Sequence, residues 1–259
     1  MKSEFSKGLA LAWQLFCRDF KAQYRQSLLG YVWAFVPVLA TTFTWVFLSS
    51  QNLVNVGETE IPYPVHVLIG SMLWNLFSKS MLGSMQGFQS GCDVFVKIKC
   101  PPEAFVASGV THVIFDTLLQ CLLLVPAFFI FDLQSHIEIL LVPIGMFSLS
   151  LLGVSVGYIL IPFASLYGDV ARLVAFALSF LMYLTPVVYP TPTEGLAGRI
   201  VELNPVTHIL DTTRTWLTIG PADSILPFFL ISIASIFLLV SGVAFVRISF
   251  PHLVSRMGA

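Results

Sequence analysis

Three cations recur at helical spacing early in this sequence, and two opposite charges stand alone deep in apolar stretches. Arg18, Lys21 and Arg25 follow at steps of three and four, so a helix gathers them on one side with Lys7 and Gln14. Guanidinium pairs well with phosphate oxygens, which suits this face to phosphate groups at a membrane surface. Lys79 and Asp116 are each the only charge deep in a long apolar stretch. An unpaired charge at the centre of a membrane helix costs roughly 3 kcal/mol or more, so the two are expected to form an intramembrane pair.

Other chemistry is missing. No Gly is followed by Lys, so there is no Gly-x-x-x-x-Gly-Lys nucleotide loop, and no Gly-Gly dipeptide occurs. His66, His112, His136, His208 and His252 are scattered without a His-x-x-x-His pair, and no metal site is expected. The acids form no intramembrane series of the kind that relays protons. No catalytic residues are assigned, and the energy for any work is expected from another chain.

The elements that must position these charges are membrane helices. Phe5, Leu9, Trp13, Phe16, Phe20, Tyr24 and Leu28 form one apolar stripe opposite the cations. A helix with one apolar and one cationic face lies in the plane of a membrane surface. Gly30 breaks the pattern, and residues 31–50 carry no charge, so the chain is expected to lie on the inner surface and then cross. The 259 residues are 56% hydrophobic and 10% charged, with net charge −1 and mean hydropathy +0.86. Soluble domains carry about 25% charged residues, so this composition indicates a polytopic membrane protein without a separate globular domain. The charge balance predicts no nucleic-acid partner. Residues 1–30 lack the pattern of a cleavable signal peptide. Cys17, Cys92, Cys100 and Cys121 hold no CxxC pair and are expected as free thiols.

Apolar stretches of about 20 residues cross a bilayer. Six qualify: roughly 31–50, 64–90, 105–131, 137–162, 172–189 and 223–247. With the N-terminus inside, the inner segments hold Lys2, Lys7, Arg18, Lys21, Arg25, Lys97, Lys99, Arg172, Arg247 and Arg256, ten of the 13 Lys and Arg residues. That excess places both termini in the cytoplasm. Lys79 lies twelve residues before Gly91, and Asp116 eleven after Phe105. At about 1.5 Å per residue both sit roughly 17–18 Å from the inner ends of their spans. A cytoplasmic loop over 91–104 mixes Phe95, Val96 and Ile98 with Lys97 and Lys99, as a docking surface needs. An external stretch over 190–222 is too apolar for a solvated loop and reads as two short helices joined at Asn204-Pro205. Gly83, Gly87 and Gly91, and Gly153 with Gly157, form small-residue ridges suited to close helix packing.

The segment Arg18-Asp19-Phe20-Lys21-Ala22-Gln23-Tyr24-Arg25-Gln26-Ser27-Leu28-Leu29-Gly30-Tyr31-Val32-Trp33 resembles the motif that opens the permease subunits of type 2 ABC exporters. The branch it resembles exports lipid-linked polysaccharides: O-antigen, capsule and teichoic acid. Thr185-Pro186-Val187-Val188-Tyr189-Pro190 and Leu203-Asn204-Pro205-Val206-Thr207-His208-Ile209-Leu210-Asp211-Thr212-Thr213-Arg214 are similar to two later family segments, in the same order. The resemblance covers almost the whole chain. It implies a homodimer of permeases on two copies of a separate ATPase, passing a glycan on a polyprenyl diphosphate carrier. Residues 91–104 then occupy the place of the ATPase-docking helix, with Phe95, Lys97, Lys99 and Pro101 as coupling residues. Pro101-Pro102 departs from the single proline common there. Pro186, Tyr189, Asn204, Pro205 and Arg214 fall in the outer gate. Arg18, Lys21, Arg25, Tyr31 and Trp33 become candidates for contact with the diphosphate and the sugars. The plainer roles are adhesion to anionic lipid for the cations and interfacial anchoring for the rings.

The expected fold is therefore an all-α integral membrane protein of six spans in one membrane domain, 1–259. It comprises an interfacial helix over 1–30, spans one to five over 31–189, a re-entrant gate over 190–222, and span six with a cytoplasmic tail over 223–259. The expected function is outward movement of an undecaprenyl diphosphate-linked polysaccharide of the O-antigen kind across the bacterial inner membrane. The expected partners are a second copy, two ABC ATPase subunits, the lipid-linked glycan and membrane lipids. No cofactor is expected on this chain, since ATP would be bound by the partner subunit. Rival readings are a permease of the same fold for capsule, teichoic acid, a small lipid or a drug, and, from another class, a membrane glycosyltransferase or scaffold.

Overall fold

A computed structural model describes residues 30–54, 57, 59–95, 103–134, 136–191, 195–222 and 225–257, and every regular element among them is helical. A 3-10 turn, Gly30–Ala34, leads into α1 (Val36–Ser50), which has Pro37 in its first turn where a missing N–H costs nothing. α2 (Tyr63–Phe95) follows, then α3 (Glu103–Cys121) and the short α4 (Leu124–Ile130). Pro126 explains the break between α3 and α4. It has no N–H to offer the Leu122 carbonyl, and Leu122 and Leu123 instead make i−3 bonds to Leu119 and Gln120. A second 3-10 turn, Ile137–Leu141, opens α5 (Val142–Leu166). α6 (Val170–Leu181), α7 (Gly195–Leu203), α8 (Pro205–Thr218) and α9 (Leu226–Met257) complete the order.

Three helical stretches among the described residues are long and apolar enough to cross a membrane: Val106–Ile130, Ile137–Leu166 and Leu226–Phe250. Val36–Ser50 and Val170–Leu181 are shorter apolar helices. α2 is not among the three despite its 33 residues. Its place in the bundle accounts for that. It packs against α1, α3, α5, α6 and α8, so much of its surface meets protein. Ser80 shares a 2.9 Å hydrogen bond with Ser150 of α5, while Ser71 and Ser84 donate to Leu68 and Met81 carbonyls. Hydroxyls satisfied this way are tolerated at membrane depth.

The last two expected spans differ from the helices found. In the fifth expected span the helix, α6, stops at Leu181, and 182–189 are turns and bends that include Pro186. In the sixth expected span the helix, α9, continues ten residues past 247, to Met257. Likewise the expected 91–104 loop is partly helical, because α2 runs to Phe95 and α3 starts at Glu103.

Among the described residues two apolar clusters sit at opposite ends. The larger joins α2, α5 and α8 around Leu73, Leu149, Val187, Ile209 and Phe228. The smaller joins Met85 and Phe88 of α2, Val106 of α3, Ile161 of α5 and Val246 of α9. Glycines allow the close crossings. A Cβ on Gly109 of α3 would strike the Gly83 carbonyl oxygen of α2, and one on Gly153 of α5 would lie 2.6 Å from the Phe77 carbonyl oxygen. Gly83 and Gly87 of the first ridge and Gly153 and Gly157 of the second thus serve packing.

Candidate functional site

Among the described residues a dense polar construction lies where α6 ends and α8 begins. Thr185 donates to the Leu181 carbonyl at 2.8 Å, carrying the backbone past the last turn of α6. The Asn204 amide donates to Thr185 Oγ1 at 2.8 Å, while its oxygen accepts the Val206 N–H at 3.1 Å. One side chain therefore caps α8 and ties it to the turn after α6; its extended backbone (φ −81°, ψ 114°) and Pro205 at the first helical position suit a helix start.

Two turns along α8, Arg214 is 5% exposed. Its Nη2 donates to the Pro186 carbonyl at 2.8 Å and the Val187 carbonyl at 3.3 Å, and its Nη1 to Asp211 Oδ1 at 3.0 Å. Burial pulls the guanidinium below its ordinary pKa, and the Asp211 carboxylate opposes that shift. Asp211 also accepts from Thr191 at 2.5 Å. α2 closes the construction: His66 Nε2 lies 3.3 Å from the Tyr189 carbonyl oxygen. A Cβ on Gly70 would strike the Val187 oxygen and lie 2.7 Å from Arg214 Nη2. The Tyr189 hydroxyl donates to the Tyr183 carbonyl at 2.9 Å. So Pro186, Tyr189, Asn204, Pro205 and Arg214 are brought together. Sequence reading missed His66 and Gly70, which are remote in sequence and carry no local signal.

α8 is buried through most of its length, including Ile209, Leu210, Thr213, Trp216 and Leu217. Thr213 fills the space over Gly145 of α5, and Trp216 meets Phe228 of α9 edge-on at 5.0 Å. Beside the α7–α8 junction is a cleft of about 470 Å³ between α2, α5 and α6, and among the described residues that line it Asn204 is the one polar side chain.

Lys79 and Asp116 meet across α2 and α3, Nζ to Oδ2 3.4 Å, with side chains 32% and 18% exposed. Asn75, Ser78 and Lys79 are half-buried on the same side of α2, and Gln86 is exposed two turns further on. Near this pair the Tyr31 ring is 6.3 Å from Phe115, and Gln120 donates to the Ala34 carbonyl at 2.8 Å. Tyr31 and Trp33 are exposed. Arg18, Lys21, Arg25, Lys97, Lys99 and Pro101 lie outside the described residues; Phe95 closes α2, with its side chain also outside them.

The expectation that the sequence holds no Gly-x-Ser-x-Gly elbow is wrong: Gly153-Val154-Ser155-Val156-Gly157 has that spacing. An elbow needs a strand-to-helix turn. Here the five residues lie inside α5, and Ser155 is buried with its hydroxyl donated to the Leu152 carbonyl at 2.8 Å. The motif is packing.

Apolar helices around a polar knot, with no strand among the described residues, define an integral membrane protein of helical bundle type. Residues 10–217 match the family model described as ABC-2 type transporter. The chain belongs to that family of transporter membrane components, and it is a transport component rather than an enzyme. It is similar to the O-antigen export system permease protein RfbA of Myxococcus xanthus, 24% identical over 211 residues that cover 79% of this chain and 78% of the relative. Two proteins of that name from Klebsiella pneumoniae are 24% and 21% identical over 203 and 200 residues, covering 76% of this chain and 76% of each relative.

Proposed function

We propose that this chain is the permease of an ATP-driven exporter that moves an undecaprenyl diphosphate-linked polysaccharide of the O-antigen class outward across the bacterial inner membrane. The observation that carries the reading is the run of similarity to O-antigen export permeases through about three quarters of both chains. The polar knot supports it, because an irregular backbone at membrane depth is tolerable only where protein or water satisfies it.

In this reading one membrane domain has six spans: α1, α2, α3 with α4, α5, α6 with the turns after it, and α9. Both termini are cytoplasmic. α7 and α8 form the re-entrant outer gate, and 91–104 dock the ATPase. Two permeases pair and sit on two ATPase subunits, which bind the ATP. Exposed rings on α1 and α6, Phe43, Phe47, Phe176 and Phe180, offer a face for the second copy and for sugar rings. Arg18, Lys21 and Arg25 receive the carrier diphosphate at the inner surface, next to Tyr31 and Trp33.

Affinity purification of the tagged chain with its co-expressed ATPase tests the assembly. Two copies of each chain, with ATP hydrolysis dependent on the ATPase chain, are expected. Robust hydrolysis by this polypeptide alone would refute the reading.

A further inference from the structure

At the end of the bundle away from α8, Arg247 Nε of α9 donates to Glu103 Oε1 of α3 at 2.7 Å. Glu103 opens α3 and is the first described residue after 96–102. The side chains are 68% and 29% exposed, and 144 residues of chain separate them. An exposed pair of this kind contributes little to fold stability. Its notable property is what it joins. α9 is one unbroken helix, Leu226–Met257. At about 1.5 Å per residue, ~28 Å separate Arg247 from Phe228, whose ring meets Trp216 of α8.

α9 is well held between these points. Gly242 sits so close to α5 that a Cβ would lie 2.9 Å from Tyr158 Cβ, and Phe245 meets Phe163 at 6.0 Å. Val246, next to Arg247, is buried with Val106 of α3 and Tyr158 in the smaller apolar cluster. A helix gripped at both ends displaces as a unit, because close-packed interiors transmit displacement.

We infer that Arg247 is a positioning residue that ties the ATPase-docking region, through Glu103, to α9, and that α9 carries its displacement to α8 through the Phe228–Trp216 contact. The inference rests on the reading that 91–104 dock an ATPase and that α7 and α8 form the gate.

The test uses the full permease–ATPase complex in proteoliposomes, with Leu203→Cys as reporter, since Leu203 is 84% exposed at the end of α7. Its rate of labelling by an impermeant thiol reagent is measured without nucleotide, with ATP and with the vanadate-trapped enzyme, alongside ATP hydrolysis. In the parent complex the rate depends on nucleotide. Arg247→Glu, Arg247→Gln and Glu103→Arg are each expected to shrink that dependence about fivefold or more while hydrolysis continues, the low end of measured coupling between sites. Arg247→Glu with Glu103→Arg is expected to restore it. A structural role alone would lower the amount of assembled complex without separating hydrolysis from labelling. Single variants that keep the parent response would overturn the inference and leave the gate reading standing. A parent complex with no nucleotide response would overturn the gate reading and the inference together.

Discussion

Arg214 donates to the Pro186 carbonyl at 2.8 Å, so a buried cation on α8 fixes the turn that follows α6. Pro186 has no N–H, which leaves its carbonyl as its only backbone hydrogen-bonding group. A planar guanidinium reaches that carbonyl, the Val187 carbonyl and Asp211 at once. A lysine is a point charge on a flexible stem and cannot reproduce the fork.

The first prediction follows from that fork. Arg214→Gln is expected to lower the stability of the detergent-solubilised protein by about 1.5–3 kcal/mol, the range for hydrogen bonds to a charged group. Arg214→Lys is expected to recover less than half of the loss. Denaturation midpoints of the three proteins decide it; a Lys variant as stable as the parent would mean charge alone suffices.

Asn204 makes two separable contacts. Asn204→Ala removes the α8 cap, at about 1 kcal/mol, together with the bond to Thr185. Asn204→Asp keeps the cap acceptor and loses the donor to Thr185, so its stability is expected between the parent and Ala. Equal stability of Asp and Ala variants would show that the tether to Thr185, rather than the cap, carries the effect.

Lys79 and Asp116 approach to 3.4 Å across α2 and α3. Lys79→Ala and Asp116→Ala are each expected to impair folding or export, and the double variant to be less harmed than the worse single one. A coupling of roughly 0.5–3 kcal/mol is the range for residues in contact. Strictly additive losses would show that the 3.4 Å approach has no energetic content.

Gly109 has no room for a methyl group, because the Gly83 backbone lies against it. Gly109→Ala is expected to cost about 1–3 kcal/mol by forcing α3 away from α2. Gly168 has nothing within 4 Å of an added Cβ, so Gly168→Ala is the matched control and should be silent. Similar thermal midpoints for both variants would remove the packing role of that crossing.

Helix content, the Asn204-Pro205 start of α8 and the partnership of Lys79 with Asp116 were legible in the sequence because each has a local or one-dimensional signal. A cap residue precedes a proline, and an isolated charge in apolar sequence seeks its opposite. That the fifth span is short and ends in prolines was legible, but its stop at Leu181 was not, since Met182, Tyr183 and Leu184 carry no breaker and the hydrogen bonds of Thr185 and Asn204 mark the departure. Nor does anything local reveal that His66 and Gly70 lie under the Tyr189 and Val187 carbonyls, or that Arg247 reaches Glu103. Those contacts arise from packing between elements more than 100 residues apart. The polar residues of α2 weaken its hydropathy because that helix meets protein on several sides, which only the assembled bundle makes plain.

The central claim, export of a lipid-linked glycan, is tested most directly by removing this chain from the cell that makes it and isolating undecaprenyl diphosphate-linked glycans from the inner membrane. The account predicts that one such glycan accumulates on the cytoplasmic side, that its polymer disappears from the cell surface, and that the parent chain restores both. Unchanged surface polysaccharide with no accumulating lipid-linked intermediate would contradict it.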